Sequence, residues 1–321
     1  MIGLLAVILI PLVVAQARNF KDRKKKKLYF EDLKDKLNNY TTELQGHILD
    51  KKKWKLYLKD LKKKKAKEAK TTVPKSYVLE FIGDKMASQT DNLREEISLI
   101  LKIAKPEDEV IVLLESRGGS VAHYGLAASQ LKRLRDHGIS LTICVDKVAA
   151  SGGYLMACVG NKILSAPFAF VGSIGVLYGI PNIHDLLKKN LITYEELTAG
   201  KYKRTLTPFS KVTEEKKEKL QEQINLVHEQ FQSFLKQYRT DLDFDKVATG
   251  EAWLGEEALK LGLVDGIQCG DDYIMGRFKT RDVYKVALKK DDSLLDKVFG
   301  KVMSFSLKDK ISGKVYDEMT L

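Results

Sequence analysis

The chain has 321 residues, of which 44% are hydrophobic and 31% charged, which is enough for one large domain or two small ones with a real core. The composition excludes a collagen-like, a wholly disordered or a disulfide-stapled protein. The three scattered cysteines (Cys144, Cys158 and Cys269) form no C-x-x-C pair, which argues against structural zinc. The net charge of +12 is concentrated in residues 18–75, with 21 Lys and Arg against 8 Asp and Glu, so the sequence predicts a basic arm on a neutral body.

The first 17 residues carry no charged side chain, and the run from Ile2 to Ala15 is apolar except at Gly3 and Pro11. This run is short for a bilayer span, which takes about 20 residues. It also lacks the positive region that precedes the apolar stretch of a secretory signal peptide. We interpret residues 1–17 as an uncleaved membrane anchor. A cleaved signal peptide and a buried core helix are the alternatives.

A lysine-rich stalk is predicted to follow the anchor. Residues 18–27 contain seven Lys and Arg. Positive charge beside a membrane tends to stay cytoplasmic and attracts anionic lipid by about 1 kcal/mol per residue. Interleaved aromatic residues and a nucleic-acid reader motif are both lacking, so lipid is the expected partner and nucleic acid is not. The segment Lys51–Lys70 repeats the pattern and predicts an exposed helix or linker that ends near Pro74.

Beyond Lys75, short apolar runs alternate with amphipathic segments. The predicted strands are Tyr77–Ile82, Val110–Leu114, Leu141–Val145, Lys162–Leu164 and Ile192–Leu197. The predicted helices are Leu93–Ile103, Val121–Arg135, Ser151–Val159 and Thr213–Tyr238. This alternation predicts an α/β fold with a largely parallel sheet.

Two glycine-rich turns follow predicted strands, ESRGGS at 115–120 and AASGGY at 149–154. Ser151 is a candidate nucleophile, because serine at a strand-to-helix turn can face a site at the sheet edge. The N–H of Gly152 and one from Gly118 or Gly119 could form an oxyanion hole. Ser151 could instead be a helix N-cap, since serine is favoured at the start of a helix. The G-x-S-x-G elbow that usually carries a serine nucleophile is absent. Phosphate binding is disfavoured because neither turn has the P-loop pattern.

A serine nucleophile needs a base, and the five histidines offer no obvious one. They are His47, His123, His137, His184 and His228, and none lies in a glycine-rich or strand-end loop after Ser151. A lysine could serve if burial lowered its pKa from about 10.4 toward 7–8. Composition alone does not choose among the lysines.

Four motifs occur in order: VAASGGYLMAC, APFAFVGSIGV, TAGKYKRTLTPF and VATGEAWLGEEALKLGLVDGI. Together they resemble the signal peptide peptidase A family, and most closely its SohB-type membrane-anchored peptidases. The resemblance runs from about residue 75 to about residue 290, and the anchor and stalk are also similar. It implies a ClpP/crotonase-like fold of repeated ββα units, Ser–Lys peptidase chemistry without a metal or other cofactor, and a single-pass protein of the bacterial inner membrane.

Residue by residue, the resemblance implies that Ser151 is the nucleophile and Lys203 the general base. Ser173 would hydrogen-bond and orient the lysine amine. The oxyanion donors would be the amides of Gly152 and of Gly119 or Gly118.

The sequence departs from the family in one place, because Arg117 stands where a proline usually precedes the glycine pair. The fixed φ of proline is lost there, so we expect a looser donor loop. Lys201 is a rival base, since residues two apart face the same side of a strand. Only the resemblance favours Lys203.

We weigh three functions: a membrane-anchored serine endopeptidase acting on exposed peptide segments, a crotonase-type acyl-thioester enzyme and a non-catalytic membrane scaffold. The motifs around Ser151 and Ser173 each occur once, whereas the family lysine can come from a neighbouring copy of the domain. We therefore predict a homo-oligomer with shared active sites.

The expected divisions of the chain are an anchor at 1–17, a stalk at 18–74, a peptidase domain at 75–290 and a tail at 291–321 with a candidate amphipathic helix at 293–307. Charge favours a cytoplasmic body, although relatives often act outside the cytoplasm.

Overall fold

The computed structural model describes residues 26–68 and 72–290. The chain divides into two compact units, residues 30–287 and residues 1–29 with 288–321. Only residues 26–29 and 288–290 of the latter unit are described, so the fold below is that of the larger unit. The predicted anchor, the first part of the basic run and the C-terminal tail lie outside the described residues.

A mostly parallel sheet forms the centre of the larger unit. Its strands are β1 (Lys26–Asp32), β2 (Lys75–Gly83), β3 (Glu109–Ser116), β4 (Ser140–Val145), β6 (Lys162–Ser165), β9 (Gly266–Ile267) and β10 (Asp282–Lys290). They lie in the order β1-β10-β2-β3-β4-β6-β9, and every pairing from β10 to β9 is parallel. The predicted α/β class with a largely parallel sheet is confirmed.

Strand β3 shows why the sheet is buried on both faces. Val110 and Val112 pack into the larger apolar cluster, whereas Ile111 packs into a second cluster on the other side. Because successive side chains of a strand point to opposite faces, an unbroken apolar run needs cover on both. The run VIVLL therefore predicts an interior strand, and β3 lies between β2 and β4.

Three short strands extend the sheet near the end of β3. They are β5 (Val148–Ala150), β7 (Phe170–Gly172) and β8 (Ala252–Leu254). β5 pairs parallel with β3 through Ala149 and Ser116, and β7 pairs parallel with β5. β8 is antiparallel to β7. A long strand, a short strand and a helix thus follow one another from β4, and β6 and β7 repeat the strand pair.

The helices cover the sheet and line its edge. They are α1 (Leu33–Ile48), α2 (Lys51–Glu68), α3 (Thr90–Leu101), α4 (Val121–Asp136), α5 (Gly152–Ala157), α6 (His184–Lys189), α7 (Glu214–Lys236), α8 (Phe244–Val247), α9 (Gly255–Lys260) and α10 (Gly270–Arg277). The predicted N-cap of the long helix is present, since the Thr213 hydroxyl accepts a hydrogen bond from the Lys216 amide. Leu235, near the C-terminal end of α7, is the one residue of that helix that is buried.

The lysine-rich region is more structured than a stalk of helix or linker. Helix α2 confirms the exposed helix predicted from Lys51, and α1 precedes it as a second helix. The strand β1 was not predicted, and its Phe30 stacks on Tyr284 of β10 with ring centroids 4.8 Å apart. Within residues 26–68 and 72–290, no helix combines the length and apolar character that a membrane span requires.

The predicted strand Ile192–Leu197 is wrong. The chain has no regular secondary structure there, between α6 and α7. The apolar side chains of the run are exposed, 99% for Leu197 and 55% for Ile192, so the alternating pattern is not buried against a sheet face. Residues 201–203 lie in a turn, so Lys201 and Lys203 do not share the face of a strand.

Candidate active site

Three loops that follow parallel strands meet at one edge of the sheet. Residues 117–120 follow β3, Ser151 follows β5, and Ser173 follows β7. Because β3, β5 and β7 are adjacent and parallel, their carboxyl ends lie side by side, where α/β sheets place ligand sites. The topology therefore brings together three segments that are far apart in the sequence.

Ser151 has a backbone conformation that is rare for a residue other than glycine, with φ of 53° and ψ of −119°. It lies between the last residue of β5 and the first residue of α5, and its N–H donates to the Gly172 carbonyl at 2.8 Å. The Ser151 side chain makes no capping hydrogen bond to α5. The N-cap alternative therefore lacks its defining contact, and the hydroxyl is free of that bond.

The loop after β3 lies directly against this turn. A methyl group added at Gly118, which has φ of 83°, would lie 2.6 Å from the Gly152 nitrogen and 2.8 Å from Ser151 Cβ. The Gly118 N–H donates to Ser116 Oγ at 3.0 Å, so this amide is already engaged. Among the described residues, the Gly119 N–H has no hydrogen-bond acceptor.

Two hydrogen bonds hold this loop where a proline ring is missing. The first is the bond from the Gly118 amide to Ser116, and the second runs from the Ser120 amide to the Lys85 carbonyl at 2.8 Å. The side chain of Arg117 is exposed and lines the adjoining cleft. The loop is therefore tied at both ends of the glycine pair.

A cleft of about 1920 Å³ opens over these loops. Ser151, Ser173 and Gly119 line it on the sheet side, and α7 lines the other side with residues that include Ile224 and Phe231. Ser173, like Ser151, has a positive φ, here 51°, and is half-buried. The α7 side of the cleft is partly apolar, since Ile224, Val227 and Phe231 all line it.

Lys203 does not line this cleft. Its side chain is exposed, and its amide closes a turn by donating to the Gly200 carbonyl at 3.1 Å. The structure brings Ser151, Ser173 and the glycine amides together within one chain, but it does not bring Lys203 to them.

Lys201 has a partner of its own. Its ammonium group lies 2.7 Å from a carboxylate oxygen of Glu215. The hydrogen bond to this carboxylate raises the pKa of Lys201 above the ordinary lysine value. A general base must be neutral before it accepts a proton, so the Glu215 contact opposes a base role for Lys201.

His228 is the one of the five histidines that lies at the cleft among the described residues, which was not predicted from the sequence. It lies on α7, lines the cleft, and places Nε2 3.2 Å from the carbonyl oxygen of Ile174, next to Ser173. Helical spacing could have indicated this position, since His228 is four residues after Ile224 and three before Phe231, on one face of the helix. His123 instead pairs with the Ser120 hydroxyl at 2.8 Å.

Fold and site together define an α/β protein with a serine-centred cleft and backbone donors beside the serine. The profile of Peptidase family S49 matches residues 133–283, and that of Peptidase family S49 N-terminal matches residues 1–131. The chain belongs to peptidase family S49, the signal peptide peptidase A family, which confirms the resemblance seen in the four motifs.

Among its relatives is the "Probable protease SohB" of Haemophilus influenzae, 53% identical over 225 residues, which are 70% of this chain and 64% of the relative. Another is the "Probable protease SohB" of Buchnera aphidicola subsp. Schlechtendalia chinensis, 52% identical over 204 residues, 64% of this chain and 67% of the relative. The match thus spans slightly less than two thirds of the Haemophilus protein.

One similar solved structure is a mutant of the 1510-N membrane-bound stomatin-specific protease in complex with a substrate peptide. It has a TM-score of 0.39 and 14% identity, and the alignment covers 73% of this chain and 100% of that one.

Proposed function

We propose that this protein is a membrane-anchored serine endopeptidase that hydrolyses exposed or membrane-released peptides with a Ser–Lys dyad. The observation that carries the proposal is the backbone of Ser151. A serine held at φ of 53° costs conformational energy, and such strain persists where the surrounding structure imposes it, most often at functional sites. The SohB proteases among its relatives support the same activity.

In this mechanism Ser151 Oγ attacks the peptide carbonyl while Lys203 takes its proton. The developing oxyanion accepts hydrogen bonds from the amides of Gly119 and Gly152, which stabilise the tetrahedral intermediate. Gly119 is the better candidate of the glycine pair, because the Gly118 amide is already bonded to Ser116. Lys203 then protonates the leaving amine, and water hydrolyses the acyl-enzyme. Ser173 orients the lysine amine.

The position of Lys203 supports a dyad that is shared between subunits. A lysine base must be neutral near pH 7, and this needs burial that lowers its pKa from about 10.4. Lys203 is exposed in the single chain. Lys203 lies in the segment between β7 and α7, and this segment also exposes large apolar side chains, 93% for Leu177 and 95% for Leu191. Exposed apolar surface of this kind is typical of an interface, and a second copy would bury it together with Lys203.

The same proposal includes the finer architecture. Residues 75–290 form a ClpP/crotonase-like peptidase domain, supported by the long-strand, short-strand pattern that runs from β4 to β7. Residues 1–17 anchor it in the bacterial inner membrane as a single-pass protein, the basic stalk at 18–74 lies against anionic lipid, and 291–321 form a tail. The uncharged run and its basic flank support this placement.

Labelling with a fluorophosphonate tests the nucleophile. The wild-type chain should be labelled at Ser151, and Ser151→Ala should abolish both labelling and peptide hydrolysis. Ser129→Ala is the matched control, since Ser129 also lines the cleft but hydrogen-bonds within α4. An unlabelled wild-type chain would favour the acyl-thioester enzyme or the scaffold.

Complementation tests the shared dyad. Ser151→Ala and Lys203→Ala should each be inactive alone, whereas oligomers assembled from an equal mixture should recover about a quarter of wild-type activity. In each site between two subunits, the chance is one half that Ser151 is intact and one half that Lys203 is intact, so about one site in four has both. No recovery in verified mixed oligomers would place the dyad within one chain. Full activity of Lys203→Ala with loss in Lys201→Ala would move the base by two residues.

A further inference from the structure

We infer that Tyr124 is a positioning residue for the oxyanion hole, acting through a hydrogen-bond chain to the loop after β3 and through packing beneath Gly152. The inference rests on the proposed function, because it concerns the two amides that would hold the oxyanion. Tyr124 lies on α4, is fully buried, and is one of the residues that border the cleft.

The chain of hydrogen bonds connects three segments. The Gly118 N–H donates to Ser116 Oγ at 3.0 Å, Ser116 Oγ lies 2.6 Å from Tyr124 Oη, and Tyr124 Oη donates to the Asp84 carbonyl at 2.7 Å. A phenol has a single hydrogen, and here it goes to the Asp84 carbonyl, which has none to give. The Ser116 hydroxyl must therefore donate to Tyr124.

The direction of every bond in the chain is thus fixed. The Ser116 oxygen, having given its own hydrogen to Tyr124, has its lone pairs left for the Gly118 amide. With the Gly118 N–H directed toward Ser116, the next amide, that of Gly119, is left without an acceptor among the described residues and lines the cleft. The Tyr124 hydroxyl thereby sets the orientation of the peptide that precedes the proposed donor.

The ring of the same residue supports the other donor. A methyl group added at Gly152 would lie 2.5 Å from Tyr124 Cγ and 2.8 Å from Cβ, so the backbone of Gly152 rests directly on the tyrosine. One side chain therefore bears on the amides of both Gly119 and Gly152. Their relative placement depends on it, and oxyanion stabilisation depends on that placement.

Burial makes this arrangement hard to replace by solvent. Tyr124 is 0% exposed and Ser116 is 1% exposed, so water does not readily supply a lost partner. Burial also raises the pKa of Tyr124 above its ordinary value of 10, which keeps the hydroxyl protonated as a donor. The hydroxyl is therefore a fixed element of the loop across the pH range in which a peptidase is assayed.

The test is Tyr124→Phe, which removes the hydroxyl and keeps the ring under Gly152. We expect kcat to fall roughly tenfold with KM nearly unchanged, because a misaligned donor weakens the transition state more than substrate binding. Binding of a peptide aldehyde, whose adduct with Ser151 places an oxygen in the hole, should weaken by a similar factor. Tyr273→Phe is the matched control, since it removes a buried hydroxyl 3.1 Å from Thr142 on the other side of the sheet.

Ser116→Ala provides a second route to the same link. If Ser116 and Tyr124 act as one chain, the double variant should lose no more kcat than the more severe single variant. The inference would be overturned, and the proposed function left standing, if the wild-type protein is active and Tyr124→Phe and Tyr273→Phe have the same kcat as the wild type. Fully additive losses of kcat in the double variant would have the same consequence. A wild-type chain that neither hydrolyses peptides nor binds the aldehyde would overturn the proposed function, and the inference with it.

Discussion

Replacing Gly118 by alanine should test the geometry of the proposed oxyanion hole separately from the general stability of the fold. The new methyl group would lie 2.6 Å from the Gly152 nitrogen and 2.8 Å from the Ala150 carbonyl oxygen. Both neighbours belong to the backbone of the turn that carries Ser151, the proposed nucleophile, and have no rotamer to change. The loop and the turn must therefore move apart by about 0.6–0.8 Å to reach ordinary contact distances near 3.4 Å.

That displacement has a predictable kinetic size. A misplacement of about 1 Å at a reacting group costs on the order of 100-fold in rate, and at 1.36 kcal/mol for each factor of ten this is about 2.7 kcal/mol of transition-state stabilisation. The positive φ adds roughly 1–2 kcal/mol of strain to the folded state, partly offset by about 0.4–1 kcal/mol from the stiffer unfolded chain. We expect kcat to fall about 100-fold and the folded protein to persist with a lower melting temperature.

Gly138→Ala is the control that makes the experiment decisive. Gly138 follows α4 with φ of 73°, close to that of Gly118, but nothing lies within 4 Å of a methyl group added there. Steady-state kinetics on a fluorogenic peptide and thermal unfolding should be measured for both variants. The strain should lower both melting temperatures, while only Gly118→Ala should lose kcat. Similar kcat values for the two variants would show that the contact between Gly118 and the turn at Ser151 does not govern the proposed catalysis.

Two further predictions concern the supports of the site and of the sheet. The pKa of Asp84 is held below its ordinary 3.8 by hydrogen bonds from Ser88, so its carboxylate stabilises the fold above that pH and loses this contribution as the pH falls through the lower folded value. Asp84→Asn should therefore have a lower melting temperature near neutral pH and approach the wild type in acid; a gap that stays constant down to about pH 2 would contradict this. Arg277 forms an ion pair at 2.9 Å with Glu109, whose side chain is only 4% exposed. Arg277→Ala should lower the free energy of unfolding in urea by about 3 kcal/mol, at the low end for a broken buried pair because Arg281 remains 3.8 Å from Glu109. Lys53→Ala, in an exposed pair, should lower it by less than about 1 kcal/mol. Equal losses of unfolding free energy would show that Glu109 is not effectively buried.

Most of the fold could be predicted from the long periodic segments of the sequence. The runs that became β2, β3 and β4 and the amphipathic helices α4 and α7 were predicted because each presents enough residues to reveal its period. The strands β5, β7 and β8 have three residues each, too few for any period. Ile192–Leu197 has the alternation of a strand but no sheet face to bury it.

The candidate site could be proposed from the sequence where a motif contains its own chemistry. Ser151 and the two glycine turns were singled out because serine and glycine at strand ends are informative in themselves, and the structure brings these segments together. The link between Ser116, Tyr124 and Asp84 was not, because its members lie up to 40 residues apart and meet only through the parallel pairing of β2 with β3. The choice between Gly118 and Gly119 likewise depends on a hydrogen bond that no spacing reveals.

Helix α7 has a mechanical consequence for the cleft that it borders. It is 23 residues long, about 35 Å at 1.5 Å per residue, yet it buries a single side chain, Leu235, near one end. We expect the N-terminal half of such a helix to move at a lower energetic cost than its C-terminal end, because its side chains are exposed or half-buried and few packed contacts resist the movement. The cleft should therefore widen on the side of α7, so that bulky segments can enter while Ser151 and the glycine loops keep their positions.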